Sequence, residues 1–360
     1  MILSLVNCMD EDAEKVGYKA QNLGWLITNG FNCPDGFVVT SDEFSPMISD
    51  YLTNREIEMS KLGFYFPETI IVSIEKSLKN YDSTDIDLYF GISQEIIKEK
   101  LKEDSHIKGE IKAWLENLKF EYAYARSSTN RGDSLRGSYA GAYRSLPFIC
   151  KEIGNIFEEM VSEIIGSIFS LEALQTAIVR YKERLEDYIN DIKIAIVFQK
   201  MEEKEPYISG LARFCRGEMN VVIAQGLGEV IMPYHYKLEG NKETFDYRKK
   251  KGWDKISNLC VARYKDGKPQ PFALEPQDGV YVINEHRGWG TIYNPLNQEK
   301  RIVDISGIKK ILSWTFDTCN RISISKPIYT NGLSIEFVIW YGKDENDLQV
   351  VQVRQNTQVI

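Results

Sequence analysis

The sequence predicts a protein of mixed helix and sheet, α+β or α/β, with several antiparallel strands. Three observations carry this. Ile153, Phe157, Met160, Ile164 and Ile168 recur every three or four residues, which lines one face of a helix with apolar side chains. Short apolar runs at 36–40, 192–198 and 220–224 read as buried strands bounded by turn residues. The C-terminal stretch reads as two strands joined by the polar turn from Gly342 to Asp347.

Each element follows from local chemistry. Residues 14–30 form a helix closed by Gly30, residues Asn32 to Asp35 a turn, and Gly36 to Thr40 a strand. Residues 51–118 are mixed and charge-rich; Thr69 to Ser73 read as a strand or the start of a helix. The Lys/Glu-rich stretch 92–118 predicts helical segments with solvated charges and a turn near Gly109. The helical pattern of 151–188 is too long for one helix and breaks near Ser170. The strand at 220–224 ends at Gly226-Leu227-Gly228, and 235–275 read as exposed hairpins or loops. In the C-terminal hairpin, side chains alternate faces. Ser334 and Glu336 share one face, and Ile335, Phe337 and Ile339 the other. Gln352 and Arg354 lie opposite Val351 and Val353, so a hairpin brings Glu336, Gln352 and Arg354 together. No internal repeat is visible.

Bulk properties remove several function classes. The 360 residues permit two or three packed subdomains, and 43% hydrophobic content with 20 Tyr and 16 Phe excludes wholesale disorder. The net charge of −8 argues against broad contact with a nucleic-acid backbone. No run of about 20 apolar residues predicts a membrane span, and the start lacks the basic and apolar regions of a secretion signal. Six cysteines, spread from Cys8 to Cys319, form no CxxC pair, so neither structural zinc nor a disulfide framework is expected. A reduced, cytoplasmic protein is the expectation. Neither GxGxxG nor a Walker A sequence is present.

Two polar groupings remain. The first is Ala125-Arg126-Ser127-Ser128 followed by Gly137-Ser138-Tyr139-Ala140-Gly141, an arginine beside a segment small enough to donate backbone N–H groups to phosphate oxygens. A lysine gives a mobile point charge and an arginine a planar fork, roles open to Lys19 and Arg126. Taken singly, each is better explained as a surface cation, and the glycine segment has the plain reading of an ordinary turn. Asp133 is placed to accept a bond from Arg126 or to cap the segment that follows. The second grouping is Glu336, Gln352 and Arg354: two oxygen donors suited to Mg²⁺, and a cation suited to a γ-phosphate. Its plain alternative is a half-exposed hairpin with ordinary polar residues.

Five segments in order resemble the N-terminal nucleotide-binding module of pyruvate phosphate dikinase, phosphoenolpyruvate synthase and rifampicin phosphotransferase. They are VGYKAQNLGWLITNGFNCPDGFVVT, ARSSTNRGDSLRGSYAGAY, AIVFQKM, GLGE and IEF with LQVVQVR, and they span nearly the whole chain. The resemblance implies an α+β protein of ATP-grasp fold with the nucleotide held between two subdomains. It implies an N-terminal lobe with a helical insertion over 1–195 and a C-terminal lobe with the metal-binding hairpin over 196–360. By motif, Lys19 matches the lysine of the GGK segment and Arg126 the arginine of VRSS, both gripping phosphates. Ala140, Gly141 and Ser145 fall in the phosphate loop, and Gln199 and Met201 on the strand beside adenine. Glu229 of GLGE is implied to bind ribose or organise the metal region, with a helix cap as its plain reading. Glu336 and Gln352 resemble the magnesium pair, and Arg354 the arginine two residues beyond. The departures are Tyr18 for the second glycine of GGK, Gly132 for the glutamate of an ED pair, Ser334 for the aspartate of DIE, and Gln355 for a proline.

What the resemblance implies is an ATP- and Mg²⁺-dependent phosphotransferase of dikinase type, with Lys19, Arg126 and Arg354 as its catalytic cations. In the family, a histidine on another domain attacks the β-phosphate, AMP leaves, and a phosphoryl group passes to a small-molecule acceptor. His106, His235 and His286 are the only histidines, and none lies in a phosphohistidine segment. The chain therefore reads as the ATP half of a larger machine, serving a histidine domain in cis or in trans. Two rivals stand beside this: direct transfer from ATP to a small molecule, and a nucleotide-binding protein that has lost turnover.

Overall fold

The computed structural model describes residues 1–48, 83–103, 105–134, 137–139, 142–202, 208–225, 236–239, 242–246, 259–265, 268–271, 273–277, 280–284, 305–329, 332–340 and 348–355. They fall into two units. One comprises Met1–Asn29 and Asp35–Lys204; the other comprises Gly30–Pro34 and Glu205–Ile360. Helices and antiparallel sheets together make the chain an α+β protein.

The strands of the first unit are β1 (Ile2–Ser4), β2 (Gly36–Val39), β3 (Tyr122–Thr129), the short pair β4 (Asp133–Ser134) and β5 (Gly137–Ser138), β6 (Ser145–Ile149) and β7 (Ile194–Met201). Its helices are α1 (Ala13–Thr28), α2 (Ser83–Glu103), α3 (Ser105–Asn117), α4 (Ile153–Gly166), α5 (Leu171–Gln175) and α6 (Leu185–Asp191). The main sheet runs β1-β2-β7-β3-β6, with every neighbouring pair antiparallel. The strand β7 sits at its centre because Ile194 to Phe198 is apolar on both faces, and all five residues are buried.

The helix α1 begins where the Asp12 carboxylate accepts the Glu14 N–H at 3.0 Å, a standard N-cap. It ends ahead of Gly30, whose φ of +71° lets the chain turn away. The apolar stripe of α4 is buried along its length: Ile153, Phe157, Met160, Val161, Ile164 and Ile165 all join the core. Each such side chain contributes about 1.5–3 kcal/mol on removal from water. The break expected at Ser170 is present. Its backbone is extended, and its Oγ accepts the Ala173 N–H at 3.3 Å to start α5. The stretch Cys150–Ile178 is apolar and long enough to cross a membrane by composition, yet most of it is buried in this core. One expectation fails: Gly109 lies inside α3, not in a turn. A glycine costs a helix only about 1 kcal/mol, and burial of Ile107, Ile111 and Leu115 on one side of α3 outweighs that. The expectation for 69–73 falls outside the described residues.

In the second unit the strands are β8 (Ile208–Cys215), β9 (Glu218–Gln225), β10 (Tyr236–Glu239), β11 (Lys242–Asp246), β12 (Leu259–Lys265), β13 (Lys268–Pro271), β14 (Ala273–Gln277), β15 (Val280–Asn284), β16 (Leu333–Ile339) and β17 (Gln349–Gln355), with the helix α7 (Ile305–Ser325). They build a six-stranded antiparallel sheet, β13-β12-β9-β8-β16-β17, and a four-stranded one, β10-β11-β15-β14. The helix α7 packs on the larger sheet through Phe316, whose ring lies 5.5 Å from that of Phe214. The segment 30–34 belongs here by hydrogen bonding: Val350 N donates to Asn32 O at 2.7 Å, and Asn32 Nδ2 to Leu348 O at 3.0 Å. Strands β16 and β17 pair as the sequence predicts; the turn from Gly342 to Asp347 lies outside the described residues. The strand β8 has no counterpart in the sequence analysis. Its Gly210 lies against the Phe337 ring, where a Cβ would come within 2.0 Å of Cζ.

Burial also determines thiol reactivity. Cys8 and Cys150 are buried, and desolvation of the thiolate pushes both up to about 12; the fully enclosed Cys319 is raised as well, by burial alone. Iodoacetamide at pH 8 is expected to leave these three unmodified in the native protein. The half-buried Cys33 and Cys215 are expected to react, with peptide mass mapping as the measurement.

Candidate functional site

In the first unit the site grows from the meeting of α1 and β3. Gly17 has a φ of +75°, which kinks the first turn of α1. A Cβ there would lie 2.3 Å from both the carbonyl carbon and Oγ of Ser128. This close approach lets Ser128 Oγ donate to Val16 O at 2.7 Å and accept from Ala20 N at 3.1 Å. The helix start is thereby locked onto the strand. Two residues on, Lys19 Nζ donates to Ser127 O at 2.6 Å. Lys19 is therefore held against β3, beside Arg126, and is not a loose surface cation. Gly17→Ala is expected to cost about 3 kcal/mol, combining left-handed strain with backbone overlap, and to show as a lower midpoint in urea unfolding.

Arg126 is 5% exposed, and its Nη1 donates to Gln199 Oε1 at 3.0 Å. The register explains the pairing. Gln199 on β7 sits directly opposite Tyr124 on β3, and the guanidinium carbon of Arg126 lies 5.6 Å from the Tyr124 ring centre. The Asp133 side chain is outside the described residues. On its other side, Arg126 pairs directly with Ser145 of β6. Lys19, Arg126, Ser145 and Gln199 are thus gathered around the middle of one strand. Met201 lies further along β7, opposite Tyr122, and is buried. Ala140, Gly141 and Glu229 lie outside the described residues.

The described residues flanking Ala140 and Gly141 are firmly tied. Tyr139 O accepts from Ala142 N at 3.0 Å, and Ser170 Oγ donates to Ala142 O at 3.1 Å. Tyr139 OH donates to Glu183 Oε1 at 3.0 Å, while Arg131 Nη1 meets Glu183 Oε2 at 3.0 Å. The Tyr139 ring stacks on Tyr143 at 5.6 Å, and burial raises both phenols, so both remain neutral donors. Sequence reading missed this network because Glu183 is far from Tyr139 in the chain and carries no motif.

The hairpin of the second unit forms its own cluster. Glu336 pairs with Gln352, and Ser334 with Arg354, before an irregularity between Glu336 and Phe337 shifts the register. Arg354 Nη2 lies 3.5 Å from Glu336 Oε1, with side chains 10% and 13% exposed. Ser334 and Gln352 are buried too. The hairpin is therefore enclosed on its polar face, not half-exposed. Ile335, Phe337, Val350 and Val353 bury the opposite face. An enclosed carboxylate, an amide and a guanidinium in register are costly to desolvate, which an ordinary structural hairpin has no need of. The donor set fits a hard cation: Glu336 and Gln352 offer two oxygens, and Mg²⁺ takes few protein ligands alongside water and phosphate. Among the described residues, no three His, Cys, Asp or Glu side chains cluster as a metal site. Opposite Ser334 on its other side lies Arg213 of β8, a half-buried residue that sequence reading passed over.

The family model for the AMP/ATP-binding domain of pyruvate phosphate dikinase matches residues 13–270, which include Lys19, Arg126, Ser145 and Gln199; the β16–β17 hairpin lies beyond them. A comparison with curated proteins gives no match.

Proposed function

Because the chain belongs to the family of the AMP/ATP-binding domain of pyruvate phosphate dikinase, and so is an ATP-binding phosphotransferase domain, we propose that it cleaves ATP to AMP and passes a phosphoryl group through a histidine on another domain or polypeptide. The observation that carries this reading is the gathering of Lys19, Arg126, Ser145 and Gln199 on β3 and its neighbours. Residues from three distant motifs meet there, two of them cations and one a buried guanidinium. Phosphoryl transfer asks for positioning and charge neutralisation more than for covalent chemistry from the protein.

In this reading the fold is an ATP-grasp. Lys19 and Arg126 hold phosphate oxygens. Gln199 fixes the Arg126 fork, and the strand around Gln199 and Met201 borders adenine. Ser145, with Ala140 and Gly141, belongs to the phosphate loop, and Glu229 to the ribose or metal region. Glu336 and Gln352 hold Mg²⁺, which supplies charge neutralisation on the phosphates when bound. Arg354 faces the charge that develops during transfer. The incoming histidine nitrogen bonds to the β-phosphorus as the bond from that phosphorus to the AMP oxygen breaks. The pyrophosphoryl group goes to the histidine, and the electron pair leaves with AMP. Water or inorganic phosphate then attacks the terminal phosphorus, the bridging P–O bond breaks, and that phosphate leaves as inorganic phosphate or pyrophosphate. The phosphoryl group that stays on the histidine passes to a small-molecule acceptor.

The test is incubation with ATP labelled at the β-phosphate, Mg²⁺ and a histidine domain of this family, followed by separation of nucleotides and protein. AMP together with labelled histidine domain is the expected result. ADP without labelled protein would mean direct transfer to a small molecule. Tight Mg-ATP binding with no turnover would mean a nucleotide-binding role alone. Either outcome overturns the histidine relay.

A further inference from the structure

The register of the larger sheet places Arg213, Ser334 and Arg354 in one row across three adjacent strands: Arg213 of β8 lies opposite Ser334 of β16, which lies opposite Arg354 of β17. Directly opposed residues project from the same face, with Cβ atoms about 5 Å apart, so the two arginines flank the serine. Glu336 and Gln352 form the next row on that face. The opposite face is the apolar one, where Phe214, Leu333, Ile335 and Phe337 are buried and Phe316 of α7 packs on Phe214. The cationic row thus faces away from α7.

Charge decides what this row suits. Arg213, Arg354 and Glu336 sum to +1, with Ser334 contributing nothing. An aspartate at 334, as the DIE pattern has it, would bring these four residues to zero. Ser334 is 5% exposed and Arg354 8%, so their interactions are weakly screened by solvent. A hydroxyl that can donate, in register between two arginines, puts three donor-bearing side chains in one row for an anion.

We propose that Arg213, Ser334 and Arg354 form an anion subsite that takes a phosphoryl group, beside the Glu336–Gln352 pair. The serine is then not a lesion in a metal site. It changes the position from one that offers a carboxylate to metal into one that grips phosphate, and Arg213 joins Arg354 as a phosphate ligand. This rests on the ATP-binding reading of the hairpin but is separable from it, because inorganic pyrophosphate alone can probe the row.

Calorimetric titration of the full chain with Mg-ATP and, separately, with inorganic pyrophosphate tests it, using wild type, Arg213→Ala, Arg213→Lys, Ser334→Asp and Ser334→Ala. Arg213→Ala and Ser334→Asp are each expected to weaken pyrophosphate binding about tenfold or more. Arg213→Lys should recover part of the loss and Ser334→Ala should lose only about twofold, at unchanged thermal midpoints. Ser334→Asp that tightens Mg-ATP binding, or that raises turnover in the AMP-release assay, would overturn the proposal, since it would mark the serine as a lost metal ligand. Unchanged pyrophosphate binding in Arg213→Ala overturns it as well. A wild type that binds pyrophosphate through Arg213 but not Mg-ATP would keep the subsite and end the ATP reading of the hairpin.

Discussion

Arg126→Ala is expected to lower turnover in the AMP-release assay by about 10³-fold while the protein stays folded. Arg126 is 5% exposed, on a strand inside the sheet, so its charge acts in a setting where water screens poorly. Its direction is set by Gln199, whose Oε1 accepts from Nη1 at 3.0 Å. A fork held in this way can meet two phosphate oxygens with little reorganisation. Truncation has a structural cost too: the Gln199 amide loses a buried partner, worth about 1–3 kcal/mol. The thermal midpoint must therefore be read beside the rate. Arg126→Lys separates the two effects. It keeps the charge and loses the fork, so it should recover some phosphate affinity but little of the rate. Turnover near the wild-type value in Arg126→Ala, with the midpoint intact, would remove Arg126 from the site.

What the sequence discloses and what it hides follows the range of the interactions. The start of α1, its end before Gly30, the stripe on α4 and the break at Ser170 depend on neighbours within a few residues, and all are readable. The pairing of Glu336 with Gln352 is readable for a related reason. Alternation fixes the faces, and a short connection leaves few registers. The strand β8 escaped because ISGLARFC has a glycine in its middle and no clean alternation, and it is a strand only because β9 and β16 flank it. Gly109 was misleading in the opposite direction, a turn residue carried inside a helix by burial around it. The partnership of Arg126 with Gln199 joins residues 73 apart, and the close approach of Gly17 to Ser128 joins segments on either side of 83–117. Neither leaves a local trace. The resemblance drew attention to Lys19 and Arg126, but what holds them is legible only in the fold.

Glu336→Ala carries the second large effect, and its signature differs from that of a simple loss of structure. Turnover is expected to fall on the order of 100-fold or more, because on the proposed assignment a hard oxygen donor for Mg²⁺ goes with the carboxylate. Affinity for the phosphates should hold or rise at the same time. Glu336 Oε1 lies 3.5 Å from Arg354 Nη2, so deleting it removes the negative partner from an enclosed guanidinium and leaves that cation to an anion. The expected pattern is therefore a low kcat with an unchanged or lower KM for ATP, the reverse of what a disordered hairpin gives. Glu336→Gln keeps an oxygen and loses the charge, so its activity should demand higher Mg²⁺ than wild type. Titration of the rate against Mg²⁺, with circular dichroism as the control for folding, reads all of this. If Glu336→Ala retained the wild-type Mg²⁺ dependence, that would falsify the assignment of this carboxylate to the metal, whatever became of Arg126.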